Sequence, residues 1–321
     1  MWEVNTQFCR SAQYLLLSLQ CSSQELGNPN NFNSMSSKSP EELQVQVQQM
    51  RDWLNSQPHL PKDNVDDKLL RRFVHSCYYD IEKAKKAAET FFTIRGSSPE
   101  LITNRDPQSA QMQKYFKIVN LAQYKISGDR NLWIWQLNDP GLEQYDYLQD
   151  ARVFFLTTDA WLLDDESLED ADYAILDVKD ISLKFLTKFQ VAIARKLAKY
   201  QESALPIRLK QVHLINAPPF IDKLFALMKP FLNKDMTEMV HFHSPKSSRL
   251  SEYFTPAELP ADYGGERPSM DEYMRSATEL ISRHRTQLMN DNLWRSTETK
   301  KSKNKTEIPS SVTAFRSLAI D

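Results

Sequence analysis

The stretch Pro206–Leu232, PIRLKQVHLINAPPFIDKLFALMKPFL, limits the possible folds more than any other part of this 321-residue chain. It opens as a strand with apolar residues on both sides, Ile207, Leu209 and Ile215 against Val212 and Leu214, which predicts a strand covered on both faces. Pro218 and Pro219 end the ladder, because neither donates a backbone hydrogen bond. A helix follows. At helical spacing, Phe220, Ile221, Leu224, Phe225, Leu227, Met228, Phe231 and Leu232 cover an arc of roughly 160°, wider than the usual core-facing stripe. Such a helix is either a buried core element or a lid over an apolar cavity, and the pattern alone leaves both open.

The flanking segments place this stretch in a layered fold. Residues 1–39 are rich in Asn, Ser and Gln and predict a disordered leader; its apolar run Ala12–Leu19 is too short and too weakly flanked for a secretory signal. Ser39-Pro40-Glu41-Glu42 then reads as an N-cap, a proline at the first helical position and acids in the first turn. Leu43, Val47, Met50 and Leu54 share one face of that helix. A second helix near Asp66–Cys77 buries Leu69, Leu70, Phe73 and Val74. A third begins at Asp80, buries Ile81, Ala84, Ala88 and Phe91, and is expected to stop at Gly96. Together these form a helical subdomain over 40–100. A connector over 101–125 is expected to hold a helix from Gln108 to Tyr124. Strands are predicted at Asn131–Leu137, Tyr173–Val178 and Met239–His243, with helices at Tyr145–Leu163 and Leu183–Tyr200 between them. That alternation predicts an α/β layer with a mostly parallel sheet over 126–266. Ser269 caps a last helix within 267–293, and 294–321, with its KKSKNK run, is a polar tail.

Most catalytic signatures are missing. With six glycines there is no GxGxxG and no GxxxxGK[ST], and neither GxSxG nor HExxH occurs. His241 and His243 fall on one strand face without a third ligand nearby, which predicts ordinary strand histidines and no metal site. Asp177, at a strand end, has no catalytic partner in the pattern and reads as a structural acceptor. An enzyme would require Asp177, His213 and His241 around one open cavity. The formal charge of −2 and aromatics spread along helices argue against nucleic-acid binding. Three cysteines, two of them in the leader and none in a CxxC pair, predict a reducing cytosol. No apolar run reaches the ~18 residues of a membrane span.

Charge is unevenly distributed. From Asp139 to Asp180 the only bases are Arg152 and Lys179, whereas from Lys184 to Lys210 the only acid is Glu202. On a continuous helix from Leu183, the bases Lys184, Lys188, Arg195 and Lys199 lie opposite Phe189, Ile193 and Leu197. This is a solvated face or a surface for anionic lipid. Arg208 and Lys210 share strand parity with Val212 and Leu214 and are expected at the mouth of whatever that face lines.

The blocks VHLINAPPF, LMKPFL, HFHS and LPADYGGE, preceded by ILDV and by LLRRFV in the helical subdomain, resemble the CRAL-TRIO family from about Pro40 to beyond Gly265. This family of lipid-binding proteins includes the cellular retinaldehyde-binding and alpha-tocopherol transfer proteins. The terminal SVTAFRSLAID is similar to the C-terminal end of insect members. The resemblance implies an N-terminal helical subdomain and a mostly parallel sheet whose flanking helices enclose an apolar pocket under a mobile helix. It implies a soluble, monomeric, non-enzymatic carrier with no cofactor other than its lipid, which is tocopherol-, retinoid- or phospholipid-like. Such a carrier is cytoplasmic and peripheral at membranes.

Carried onto this sequence, the pocket positions are Phe154, Phe155, Leu176, Ile181, Leu183, Leu197, Val212 and Leu214, with Thr158 as the polar group. The mobile helix carries Phe220, Ile221, Leu224, Phe225, Met228 and Phe231. Lys184, Lys188, Arg208, Lys210 and Lys234 are candidates for an anionic headgroup, including a phosphoinositide. The sequence departs from the family's basic positions at Asp235, Met239, His75 and Cys77, and has Asp180 where a glycine is usual. A lipid-sensing or lipid-independent adaptor on the same fold is the alternative.

Overall fold

The computed structural model describes residues 39–221 and 239–297. The chain enters through α1 (Pro40–Ser56), where the expected N-cap Ser39 forms a capping box with Glu42 and Val47, Met50 and Leu54 are buried. In α2 (Asp67–Ser76), Asp66 caps the first turn and Leu69, Leu70, Phe73 and Val74 turn inward. In α3 (Ile81–Ser97), Asp80 is the cap.

Gly96 does not end α3, as the sequence suggested. It is buried inside the last turn, where an added Cβ would stand 2.4 Å from the Ser296 side-chain oxygen. The glycine serves a close approach by the returning C-terminal segment, whose Ser296 donates its backbone N–H to the Phe92 carbonyl at 3.2 Å. Short helices α4 (Pro99–Ile102) and α5 (Ala110–Tyr115) lead to the sheet.

The expected connector helix to Tyr124 gives way to a strand, β1 (Val119–Ile126), antiparallel to β2 (Arg130–Leu137). Gly128 and Asp129 adopt positive φ in the tight turn between them. That turn brings β1 into register with β2, and the ladder hydrogen bonds outweigh the mixed propensity of VNLAQYKI. From there the topology follows the predicted alternation: α6 (Tyr147–Asp164), β3 (Ala171–Asp177), α7 (Phe185–Lys188), α8 (Val191–Ser203), β4 (Leu209–Ile215), β5 (Val240–Phe242), α9 (Met270–Arg283) and α10 (Arg285–Leu288). The strand order is β1-β2-β3-β4-β5, with every pair after the first parallel.

Two cores result, one on each face. Trp133, Trp135, Ala174, Leu176, Val212 and Leu214 join the larger one, which is continuous with the N-terminal helices. Leu132, Ile134, Ile175 and Ile215 join the smaller one, with Phe254, Leu259 and Met270. A buried charge cluster binds the helical subdomain to the larger face. Arg95 Nη1 donates to Asp159 at 3.0 Å, Arg95 Nη2 donates to the Tyr200 hydroxyl at 2.9 Å, and Arg105 stands 2.6 Å from the same carboxylate. Burial alone would raise the Asp159 pKa; the two guanidiniums more than offset it and hold the carboxyl ionised.

Candidate functional site

The larger face holds a cavity of about 510 Å³ between the sheet, α6, α8 and α9. Its floor comes from strand alternation, with Trp133 and Trp135 from β2, Ala174 and Leu176 from β3, and Val212 and Leu214 from β4. Its roof is the stripe Asp150, Phe154, Thr157, Thr158 and Trp161 on α6, residues that recur at helical spacing and so share one face. Ile181, Phe185, Leu197, Leu205, Ile207 and Leu209 close the sides, and Ala277 and Leu280 of α9 contribute at the rim.

Of the pocket residues named from the sequence, Phe154, Thr158, Leu176, Ile181, Leu197, Val212 and Leu214 line this cavity. Phe155 does not. One residue further round the helix than Phe154, it is fully buried with its ring 4.4 Å from that of Tyr200. Leu183 does not either: it lies before α7 and is 55% exposed. The helix expected over Leu183–Tyr200 is interrupted at Phe189–Gln190 into α7 and α8, so its bases do not form one continuous wedge. Lys184 donates to Glu143 and to the Gly141 carbonyl, both at 2.8 Å, and Lys188 to the Tyr145 carbonyl at 3.2 Å.

Arg208 and Lys210 are not at the cavity mouth. The register of β4 against β3 slips between Leu209 and Gln211, leaving Lys210 as the extra residue of a bulge. The slip reverses strand parity, so Ile207 and Leu209 face the cavity before it and Val212 and Leu214 after it. Arg208 instead packs 4.4 Å over the Tyr78 ring, donates to the His75 carbonyl at 2.9 Å and pairs with Asp170 at 2.8 Å. There it meets the negative end of α2. Lys210 donates to the Tyr78 hydroxyl. Of the departures from the family pattern, His75 is 7% exposed, and burial followed by the Arg208 charge lowers its pKa to about 4. Burial raises the Cys77 thiol to about 11. Met239 is buried.

After Pro218-Pro219, the Ile221 N–H bonds the Pro218 carbonyl at 2.9 Å, beginning the turn that the double proline predicts. Ile221 is buried and Phe220 partly so, both in the larger core. Leu224, Phe225, Met228, Phe231, Lys234 and Asp235 lie outside the described residues.

Several cavity residues escaped the sequence reading. Trp133 and Trp135 were legible as alternate positions of a strand, but nothing in NLWIWQL says which face receives a ligand. Asp150 had a clearer signal: it stands four residues before Phe154 and seven before Thr157, a carboxylate on a helix face otherwise free of charge through Trp161.

The opposite face of the sheet carries a second cavity, of about 550 Å³, lined by Gln136, Asp177, Lys179, Asn216, His243, four serines and Tyr263 among others. Asp177 accepts from Asn216 at 2.9 Å, Tyr263 at 3.3 Å, Gln136 at 3.4 Å and the Lys179 N–H at 3.2 Å, the structural role its position suggested. The histidines stack beside it rather than converging with it. His213 Nδ1 is 3.0 Å from His243 Nε2, and its ring is 4.9 Å from that of His241. Burial, then the neighbouring imidazoles, lowers the His213 pKa to about 3. Among the described residues, no three His, Cys, Asp or Glu side chains gather so as to hold a metal, and no helix is long and apolar enough to cross a membrane.

A helical subdomain followed by a mostly parallel sheet that encloses an apolar cavity defines the class of protein. Residues 129–265 match the CRAL/TRIO domain and residues 39–112 the Pinta-like UBA domain. The chain belongs to the CRAL-TRIO family of lipid-binding proteins. It is similar to the alpha-tocopherol transfer protein-like protein of Homo sapiens, at 25% identity over 261 residues that cover 76% of this chain and 74% of the relative. It is also similar to clavesin-2 of Rattus norvegicus, at 22% identity over 73% of this chain and 72% of the relative. The crystal structure of Sfh5 aligns with a TM-score of 0.46 at 13% identity, over 74% of this chain and 92% of that one.

Proposed function

We propose that this chain carries a small hydrophobic lipid in the cavity beneath α6 and exchanges it with membranes. The supporting observation is the cavity itself: tryptophan, phenylalanine and aliphatic side chains enclose about 510 Å³, within the usual range for a small-molecule site. Each ligand methylene removed from water contributes roughly 0.8 kcal/mol. A long chain therefore offsets the cost of immobilising the ligand with very few polar contacts. The relative named for transfer of tocopherol is consistent with this reading. The segment after Pro219 is the gate in this reading. Its run of apolar residues suits a cover that opens at a bilayer, where exposing them costs little desolvation.

The test is to extract the purified protein, identify co-purifying lipid by mass spectrometry, and follow movement of that lipid between donor and acceptor vesicles. One lipid per chain and saturable transfer are expected, with transfer lost on replacing Phe225 and Phe231 by Asp in a variant that still folds. An empty cavity and no transfer would point instead to an adaptor on the same fold. Unchanged transfer by the folded double variant would remove the gate from the mechanism.

A further inference from the structure

The cavity wall carries a carboxylate where an apolar ligand needs none. Asp150 lies in the first turn of α6, one turn after the N-cap Asp146, on the stripe with Phe154 and Thr158 that roofs the cavity. Trp135 Nε1 donates to its Oδ1 at 3.0 Å and the Tyr145 hydroxyl to its Oδ2 at 3.2 Å. With the Tyr115 hydroxyl also at the carboxylate, these bonds hold the group in place and leave part of its four acceptor positions uncommitted. Trp135 and Tyr145 line the cavity as well, so the three form one polar corner of a mainly apolar chamber whose other charged lining residues are Lys125, Asp164, Asp165 and Arg283. Among the described residues no lysine or arginine forms an ion pair with Asp150. Its compensation is the positive end of α6 and the neutral donors Trp135, Tyr145 and Tyr115.

Resting on the carrier reading above, we propose that Asp150 is the polar anchor of the cavity and selects a lipid whose polar end donates a hydrogen bond, a long-chain alcohol or amine, over one that ends in a carboxylate or an ether. A hydroxyl or ammonium group satisfies the free acceptor positions, and an ammonium also supplies the missing countercharge. An ether offers only lone pairs to a group that already has them. A carboxylate meets like charge at close range. Burial pushes the Asp150 pKa up to about 6, so the group is mostly ionised at neutral pH and costly to leave unpaired.

The test measures equilibrium binding of hexadecanol, hexadecylamine, hexadecyl methyl ether and hexadecanoic acid to the full chain at neutral pH. The alcohol and amine are expected to bind about tenfold or more tighter than the ether, the span of one hydrogen bond to a charged group, with the acid weakest. Asp150→Leu should bring the alcohol and amine to the level of the ether while leaving the ether within a few-fold of wild type. Asp150→Asn keeps an acceptor for Trp135 and should lose the amine preference most. Equal binding of all four lipids by wild type, or an unchanged order in a folded variant, overturns the anchor while leaving the carrier reading intact. Failure of wild type to bind any of them overturns the carrier reading itself.

Discussion

The two faces of the sheet carry cavities of similar size, about 510 and 550 Å³, the first the more apolar. The strands are shared. Leu176 faces one cavity and Asp177 the other; Trp135 faces one and Gln136 the other; Leu214 faces one and Ile215 the other. What separates them is therefore not available volume but which alternate residues are apolar and what covers each face. On the more apolar side the cover is α6 and α8, braced from behind by the Arg95–Asp159–Arg105 cluster. On the opposite side it is the irregular segment after β5, bonded to Asp177 through the Tyr263 hydroxyl at 3.3 Å. An apolar ligand gains more by desolvating the first wall, because hydroxyls, amides and a carboxylate make up a larger share of the second.

The largest effect should come from removing the brace. Asp159→Ala leaves two guanidiniums buried without their carboxylate and should cost about 3–5 kcal/mol in urea unfolding. A loss below about 1 kcal/mol would mean the cluster does not hold the more apolar face in place. Filling each cavity in turn tests the contrast more directly. Val212→Trp should lower lipid binding on the order of tenfold or more by displacing several methylenes' worth of space. Ser248→Trp, at the other cavity, should leave binding unchanged, and a comparable loss from both would erase the distinction.

The smallest effect is in the pH dependence, where the buried histidines and the buried carboxylates should pull in opposite directions. His213 on the polar face and His75 at the end of α2 are held neutral by burial, at about 3 and about 4. The unfolded chain protonates its histidines near 6.5, so these two make the fold less stable as pH falls below that value. Asp150 on the more apolar face and Asp172 at the base of β3 have their pKa values raised to about 6 by burial. The folded state takes up those protons before the unfolded state does, so they add stability as pH falls from about 6 to 4. Urea midpoints at pH 7 and pH 5 should show a shallower acid loss for His213→Asn and a steeper one for Asp150→Asn. The same slope in both variants would refute the opposed assignment.

Much of this contrast was legible in the sequence, element by element. Ser39-Pro40-Glu41-Glu42, Asp66, Asp80 and Ser269 marked helix starts that the structure keeps, because a cap is a local hydrogen bond between residues three apart. YAILDV and KQVHLI were strands because their composition suits a sheet covered on both sides, and the alternation with helices gave the parallel order. Seven of the nine pocket positions line the cavity for the same reason of period. The failures have physical causes. VNLAQYKI became a strand because Gly128-Asp129 folds it onto a partner. Gly96 was kept small by Ser296, which is two hundred residues away in sequence. Phe155 and Leu183 missed the cavity because one lies 100° round its helix from Phe154 and the other precedes the helix that was expected to carry it.

What the sequence by itself determined is therefore what depends on nearest neighbours: caps, breaks at Pro218-Pro219, the period of each element and the family they compose. Only the tertiary structure decided which sheet face became the more apolar chamber and that a bulge at Lys210 turns Arg208 away from it. The tertiary structure also decided that Asp150, one acid among many between Asp139 and Asp180, meets Trp135 and Tyr145 inside the cavity. Those facts depend on strand register and on contacts across the fold, where a shift of one residue moves a side chain to the other face.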